Sequence, residues 1–430
     1  MIKYHRLNHS HRNLFQLILR GFRLLSRYGF SARKMEFKLD QYLEILHQYD
    51  ITPTIPITGV ILKRHPQIAQ KLSKNGVELA GHGYKHIDYT KLSDDEISEH
   101  FIHIGEAFRK NNISLSGFRF PYLKHDRICF QGLRNSHFKW DSSSTVYWDV
   151  VKDIKIERKK YRNYENMLKQ YSYKDSVTYM SLPRFVDNIL EIPVSLPDDD
   201  LLERGNMEDN NLATKVWGEI LRQTHSRGEL FSLQVHPERI HIFKEALEKI
   251  LENSRQLSPK VWTANLGSIY DWWEEKKSFS AGLNFKSNGE YEVDLKCSPR
   301  ATVLVRSHHL GNDQFYKGSS LMKERKFLIK SDRCPTIGIP KDSSVQLIQF
   351  LKNEGFIFEL SEMKEKYSIY LDTFGKFSEE DEMRALEIIH KSKSPLIRFW
   401  RWPNECKSAL CITGDIDALT SFDFLGRLFC

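Results

Sequence analysis

The strongest constraint on this chain is a pattern that occurs five times. An apolar, β-like run stops at one or two polar side chains of the kinds that do chemistry. VELAGHGYKH delivers His82 and His86, SGFRFPY delivers Arg119 and Tyr122, and FKWDSSS delivers Asp141. LFSLQVHPE delivers His236, and ALCITGDIDALT delivers Asp415 and Asp417 close to the last residue, Cys430. Residues just past the C-terminal ends of parallel strands converge at one rim of a barrel, where active sites are built. Two acids two positions apart on an extended chain also point to the same side.

Helical patterns fill the spaces between these runs. From Met35 to Trp273, β-like segments alternate with helices such as MEFKLDQYLEILHQY and KEALEKILENSRQL, which predicts an α/β architecture with parallel strands. LSDDEISEHFIHIGEAFRK opens with a capping box, Ser93 to Glu96, and carries the stripe Ile97, Phe101, Ile104 and Phe108. After about Ser278 the texture changes to alternating polar and apolar residues with turn signals, which predicts antiparallel β. The expected division is a barrel over 35–278, a second α+β domain over 279–395, and a C-terminal strand and helix over 396–430.

With 430 residues the chain can bury a sizeable core. A net charge of +8 is mild, and no basic stripe interleaved with aromatics suggests nucleic acid. The basic residues concentrate only in segment 1–34, which has no Asp or Glu. There NLFQLILRGFRLLSRYGF predicts a basic amphipathic helix, packed on its own domain or contacting a membrane surface or a partner. Arg20 and Arg23 interrupt it too early for a membrane span. The six cysteines are scattered and form no CxxC, which points to a reducing compartment, the cytoplasm by default.

Taken singly, each strand-end residue has an ordinary reading. A histidine pair four apart arises readily in a chain with 17 histidines. Asp141 before three serines suits an Asx turn, and Asp415 and Asp417 could cap the helix TSFDFLGRLF. Taken jointly and at strand ends, they favour a site built for metal binding and proton transfer.

In order and spacing these residues resemble the polysaccharide deacetylases, carbohydrate esterase family 4. The family's second motif, H-[ST]-x-x-H, is similar to HGYKH, and its third, R-x-P-Y, to RFPY from Arg119 to Tyr122. Its Asp-centred fourth motif resembles KWDSSS at Asp141, and its fifth, L-x-x-H, resembles LQVH ending at His236. The first motif, T-F-D-D-G, has no counterpart ahead of Met35, but TGDID from Thr413 to Asp417 resembles it at the C-terminus. The resemblance therefore implies a circular permutation. It covers about residues 12–278 and 396–430. Gly83 stands where the family usually has Ser or Thr, and Ile416 separates the two acids.

The resemblance implies a distorted (β/α) barrel of fewer than eight strands, completed by the C-terminal strand beside ITPTIPITG. It further implies a hydrolase that removes acetyl groups from N-acetylated sugars of a polysaccharide, such as a bacterial surface or exopolysaccharide. His82, His86 and Asp417 would hold a divalent metal, Zn²⁺ first among candidates, with Asp415 as general base and Arg119 pairing with it. His236, oriented by Asp141, would be the general acid. Tyr122 and Trp140 would contact the sugar, with Trp148 and Trp400 as further stacking candidates. Two other readings stand beside this one: a hydrolase of small cyclic amides such as allantoin, and a non-catalytic sugar-binding or assembly module. An open groove would favour polymer and a closed pocket a small molecule.

Overall fold

The computed structural model describes residues 27–307 and 314–426. The helix expected over 13–30 falls, as far as residue 26, outside the described residues. Among the described residues no helix is long and apolar enough to cross a membrane.

One large sheet carries the site. Its strands are β1 (Thr54–Ile57), β2 (Glu78–Gly81), β3 (Gly117–Phe118), β4 (Trp140–Asp141), β5 (Arg184–Val186), β6 (Ile189–Glu191), β7 (Leu230–Gln234), β8 (Val261–Thr263) and β9 (Ser408–Thr413). They are ordered β7-β9-β1-β2-β3-β4-β6-β5, with β8 pairing alongside β9. All the pairs are parallel except the β5–β6 hairpin. The count is therefore nine strands, against an expectation of fewer than eight. The excess comes from the hairpin strand β5, which extends one edge, and from β8, which shares β9 with β1. Beyond β4 and β6 the chain continues into Thr145–Tyr147 and Val194–Leu196, which pair with each other in a smaller sheet. Val194–Leu196 packs against β7, so the layer curls back on itself into a half-barrel.

The C-terminal strand β9 lies between β7 and β1. Its register with β7 runs from Leu230↔Ala409 to Gln234↔Thr413, and Thr413 also pairs with Thr54. Every residue of β9 is buried, as a central parallel strand requires.

Helices cover the outer face by the expected periodicity. Met35, Leu39, Tyr42, Leu43 and Leu46 of the helix Arg33–Gln48 are all buried. The helix Asp94–Lys110 has its capping box, with Ser93 and Glu96 bonding reciprocally, and buries Ile97, Phe101, Ile104 and Phe108.

Residues 279–399 form three small sheets. Ser280–Lys286, Glu290–Lys296 and Lys326–Lys330 are antiparallel, as the alternation predicts. Val303–Arg306 pairs antiparallel with both Ser320–Met322 and Leu396–Phe399. Cys334–Ile339 lies parallel between Phe358–Leu360 and Tyr367–Tyr370. The segment from 396 therefore begins in a small sheet, and only Ser408–Thr413 enters the large one. A shared apolar core joins the two regions, with Trp140, Leu230, Trp272 and Cys411 packed together with Leu304, Ile337, Phe350 and Trp400.

Candidate active site

The rim of the large sheet gathers the strand-end residues. After Thr413 the β9 backbone stays extended: Ile416 N–H donates to Pro56 O at 2.8 Å, and Ile416 bridges to Ile57. Ile416 is fully buried in the core, so the acids on either side of it share the opposite direction. They do not cap the helix Ser421–Gly426. Thr420 and Asp423 do that: Asp423 N–H donates to Thr420 Oγ1 at 3.1 Å and Thr420 N–H to Asp423 Oδ2 at 3.0 Å.

His82, His86 and Asp417, the three residues the resemblance implies as metal ligands, lie together. His82 Nε2 lies 3.2 Å from Asp417 Oδ1, and His86 Nε2 lies 3.1 Å from Asp417 Oδ2. His82 Nδ1 is 2.9 Å from the Arg119 carbonyl oxygen, so Nδ1 carries the hydrogen and Nε2 presents a lone pair. Donors tetrahedrally placed ~2.1 Å from one zinc ion lie about 3.4 Å apart. Two imidazoles and a carboxylate at these separations fit a divalent ion, and one donor atom from each lies within 4.8 Å of the others. Gly83 explains its departure from the family motif. Its φ is +77°, and a Cβ there would stand 2.9 Å from both Lys85 O and Tyr89 Oη.

Asp415, 3% exposed, is held from two sides. Arg119 Nη1 donates to Oδ1 at 2.9 Å, and Gln234 Nε2 donates to Oδ2 at 2.8 Å. His82 Nε2 is 3.6 Å from the same Oδ2, so Asp415 borders the metal-binding group. Arg119 is itself fully buried. Its Nε donates to Ser142 O at 2.7 Å, its Nη2 to Ser142 Oγ at 2.9 Å and its Nη1 to Thr413 Oγ1 at 3.0 Å. The guanidinium fork fixes the carboxylate's position.

His236 faces Asp415 across Gln234, whose Nε2 is 3.3 Å from His236 Nε2. Its other ring nitrogen, Nδ1, lies 2.7 Å from Asp199 Oδ1, and its backbone N–H donates to Asp199 Oδ2 at 2.7 Å. Burial would lower the His236 pKa, but the Asp199 carboxylate more than offsets this and pushes it up to about 10. Burial opposes the Asp199 charge too, yet the positive charges of His236 and Arg239 hold its carboxyl below the usual range.

Asp141 therefore does not orient His236. It stands on β4 opposite Glu191 of β6, and its Oδ1 accepts from Ser143 Oγ at 2.9 Å. Burial first, and the Glu191 carboxylate second, push the Asp141 pKa well above its ordinary value. Trp140 is also placed differently from expectation. It is fully buried, with its ring over Gly117, where a Cβ would come within 1.9 Å of it. Trp148 and Trp400 are likewise buried in core clusters, so none of the three offers a face to a sugar. Tyr122 does reach the rim: it is 49% exposed and stands edge-on to His86, with centroids 4.4 Å apart.

Sequence reasoning passed over Asp199 and Gln234. Asp199 sits in LPDDD, a sixth apolar run ending in acids; Asp198 beside it caps the next helix through Leu201 N–H at 2.8 Å. Gln234 is two residues before His236 and ends β7.

Residues 35–139 match the polysaccharide deacetylase family model. The match covers about a quarter of the chain and takes in the strands β1 to β3 with His82, His86 and Arg119. The chain is similar to the peptidoglycan-N-acetylmuramic acid deacetylase PdaA of Bacillus subtilis, 28% identical over 131 residues, which are 30% of this chain and 49% of that protein. It is also similar to a bifunctional xylanase/deacetylase of Pseudobutyrivibrio xylanivorans, 26% identical over 25% of this chain and 19% of that one. The chain thus spans about half the length of the first relative and about a fifth of the second. Among solved structures, one described as a probable polysaccharide deacetylase from Pseudomonas aeruginosa PAO1 aligns with a TM-score of 0.45. It is 15% identical and covers 61% of this chain and 78% of its own.

Proposed function

We propose that this chain is a divalent-metal-dependent deacetylase of N-acetylated sugars, with the family's first motif carried at its C-terminus. The observation that carries the reading is the convergence of a buried carboxylate, a histidine paired with a second carboxylate and a three-donor metal group on one rim. Asp415 borders His82 and accepts from Gln234 Nε2, which lies 3.3 Å from His236 Nε2. Support for the permuted order comes from β9 lying parallel between β7 and β1, which places Asp415 and Asp417 beside the strand-end residues of β2.

His82, His86 and Asp417 would hold the ion, which when bound supplies a water of lowered pKa and polarises the acetyl carbonyl. Asp415 would accept a proton from the water that adds to the carbonyl carbon, and Arg119 aims the carboxylate. When the C–N bond breaks, His236 gives its proton to the departing amine, leaving acetate and a free amino sugar. The Asp199 carboxylate raises the His236 pKa to about 10 against the effect of burial, which favours the protonated ring at neutral pH.

The exposed Tyr122 at the rim suits a sugar unit of a longer glycan. The relation to PdaA makes N-acetylmuramic acid in peptidoglycan one substrate to assay beside N-acetylglucosamine oligomers. Acetate release by protein stripped of metal and reloaded with Zn²⁺ tests the proposal. Release that depends on the reloading is expected; none from either glycan by the loaded protein would sink it.

A further inference from the structure

Beyond the rim site, a second group of metal-type donors lies around the residue that sequence reasoning had given to His236. Asp141 and Glu191 are direct neighbours across β4 and β6, so their side chains project to the same side of the sheet. His125 comes from the loop after β3. One donor atom from each of these three residues lies within 4.8 Å of the others. Asp141 is fully buried and Glu191 is 7% exposed.

Hydrogen bonds account for only part of this acidity. Asp141 Oδ1 accepts from Ser143 Oγ at 2.9 Å, and Glu191 Oε1 accepts from Ser144 N–H at 3.0 Å. The remaining Asp141 oxygen, Oδ2, is sealed from solvent and meets no hydrogen-bond donor. No lysine or arginine forms an ion pair with either carboxylate among the described residues. Two adjacent buried carboxylates with one oxygen unserved either share a proton or take up a cation, and an imidazole at the same point favours a metal.

We propose that Asp141, Glu191 and His125 form a second divalent-cation site, separate from the His82, His86 and Asp417 group. An ion that accepts both carboxylate oxygen and imidazole nitrogen, such as Zn²⁺ or Mn²⁺, suits this donor set. The ion would brace the turn that grips the base. Ser143 Oγ bonds Asp141 and also accepts from Phe120 N–H at 2.8 Å, while Ser142 holds the Arg119 fork. The proposal does not depend on the deacetylase reading, because it concerns occupancy and not turnover.

The test is metal stoichiometry of the full chain after chelation and titration with Zn²⁺ alone, and separately with Mn²⁺ alone. Wild type is expected to bind two ions per chain, Asp141→Asn with Glu191→Gln one, and His82→Ala with His86→Ala one, retained at the second site. One ion in wild type, lost entirely on His82→Ala with His86→Ala, would overturn the proposal. It would make Asp141 and Glu191 a carboxyl pair sharing a proton. Should the carboxylate variant fail to fold, anomalous diffraction from zinc-soaked wild-type crystals decides. A peak between Asp141, Glu191 and His125 is expected, and a peak at His82 and His86 alone overturns the proposal.

Discussion

His236 Nδ1 and Asp199 Oδ1 lie 2.7 Å apart although the residues are 37 positions apart in sequence. The contact joins the residue just past β7 to the first residue of the helix Asp199–Arg204, which follows Val194–Leu196; the two strands pack together where the sheet curls. It sets the protonation state of the proposed acid, and its consequences are measurable.

Replacing Asp199 with Asn removes the charge that lifts the His236 pKa to about 10. The alkaline limb of the kcat/KM profile should move from near pH 10 toward the ordinary histidine value of 6.5. Activity at pH 8 should fall on the order of 100-fold, within the range of general acid catalysis. The stability this pair contributes is fully present below pH 6.5 and is lost as pH rises through about 10, because the folded pKa is the raised one. A pH–rate profile of Asp199→Asn that overlays wild type would refute the assignment.

Asp415→Asn keeps the shape of the side chain and both neighbouring donors, but it cannot accept the water proton. We expect kcat to drop by roughly 10²–10⁴ with metal content unchanged. Elemental analysis beside acetate-release kinetics separates this from loss of the ion.

Asp417→Ala, by contrast, should lose the ion itself. It removes the carboxylate that faces both His82 and His86. The affinity for Zn²⁺ should weaken at least as much as the roughly 10–100-fold known for removal of outer-sphere partners. Calorimetric titration of the rim site checks it, and unchanged affinity would count against the three-donor group.

Far from the rim, Glu354 pairs with Arg401 (Nη2 to Oε2, 2.7 Å) and Arg398 (Nη2 to Oε2, 3.0 Å), with all three side chains buried. Burial would raise the Glu354 pKa, but the two arginines bring it down to about 2 from 4.5. The stability it contributes is present above pH 4.5 and lost as pH falls toward 2. Glu354→Gln leaves two buried guanidinium groups uncompensated and should cost about 3–5 kcal/mol. Thermal unfolding across pH 2–7 measures both effects; a variant as stable as wild type at pH 7 would refute the second.

Much of the site was legible because strand ends announce themselves. Histidines four apart after an apolar run, an arginine before a proline turn and acids two apart after β9 all arrive where the sheet needs them. Periodicity likewise gave the buried stripes of the helices Arg33–Gln48 and Asp94–Lys110. The Asp141 assignment failed because a motif names a residue type at a strand end without saying which neighbour that strand receives. Asp141 lies beside β6 and so meets Glu191, while Asp199 reaches His236 from a helix start whose three consecutive acids hide which one is used.

The sequence alone determined the alternating α/β order, the apolar faces and the chemical kinds of side chain available at the rim, because these follow from local periodicity and strand-end position. Only the tertiary structure decided which of them touch. Insertion of β9 between β7 and β1 brings Asp415 and Asp417 to His82, and the curl of the sheet brings Asp199 to His236. Packing over Gly117 takes Trp140 out of reach of any ligand. Pairings across hundreds of residues are set by burial and register summed over the whole sheet, which no local segment encodes.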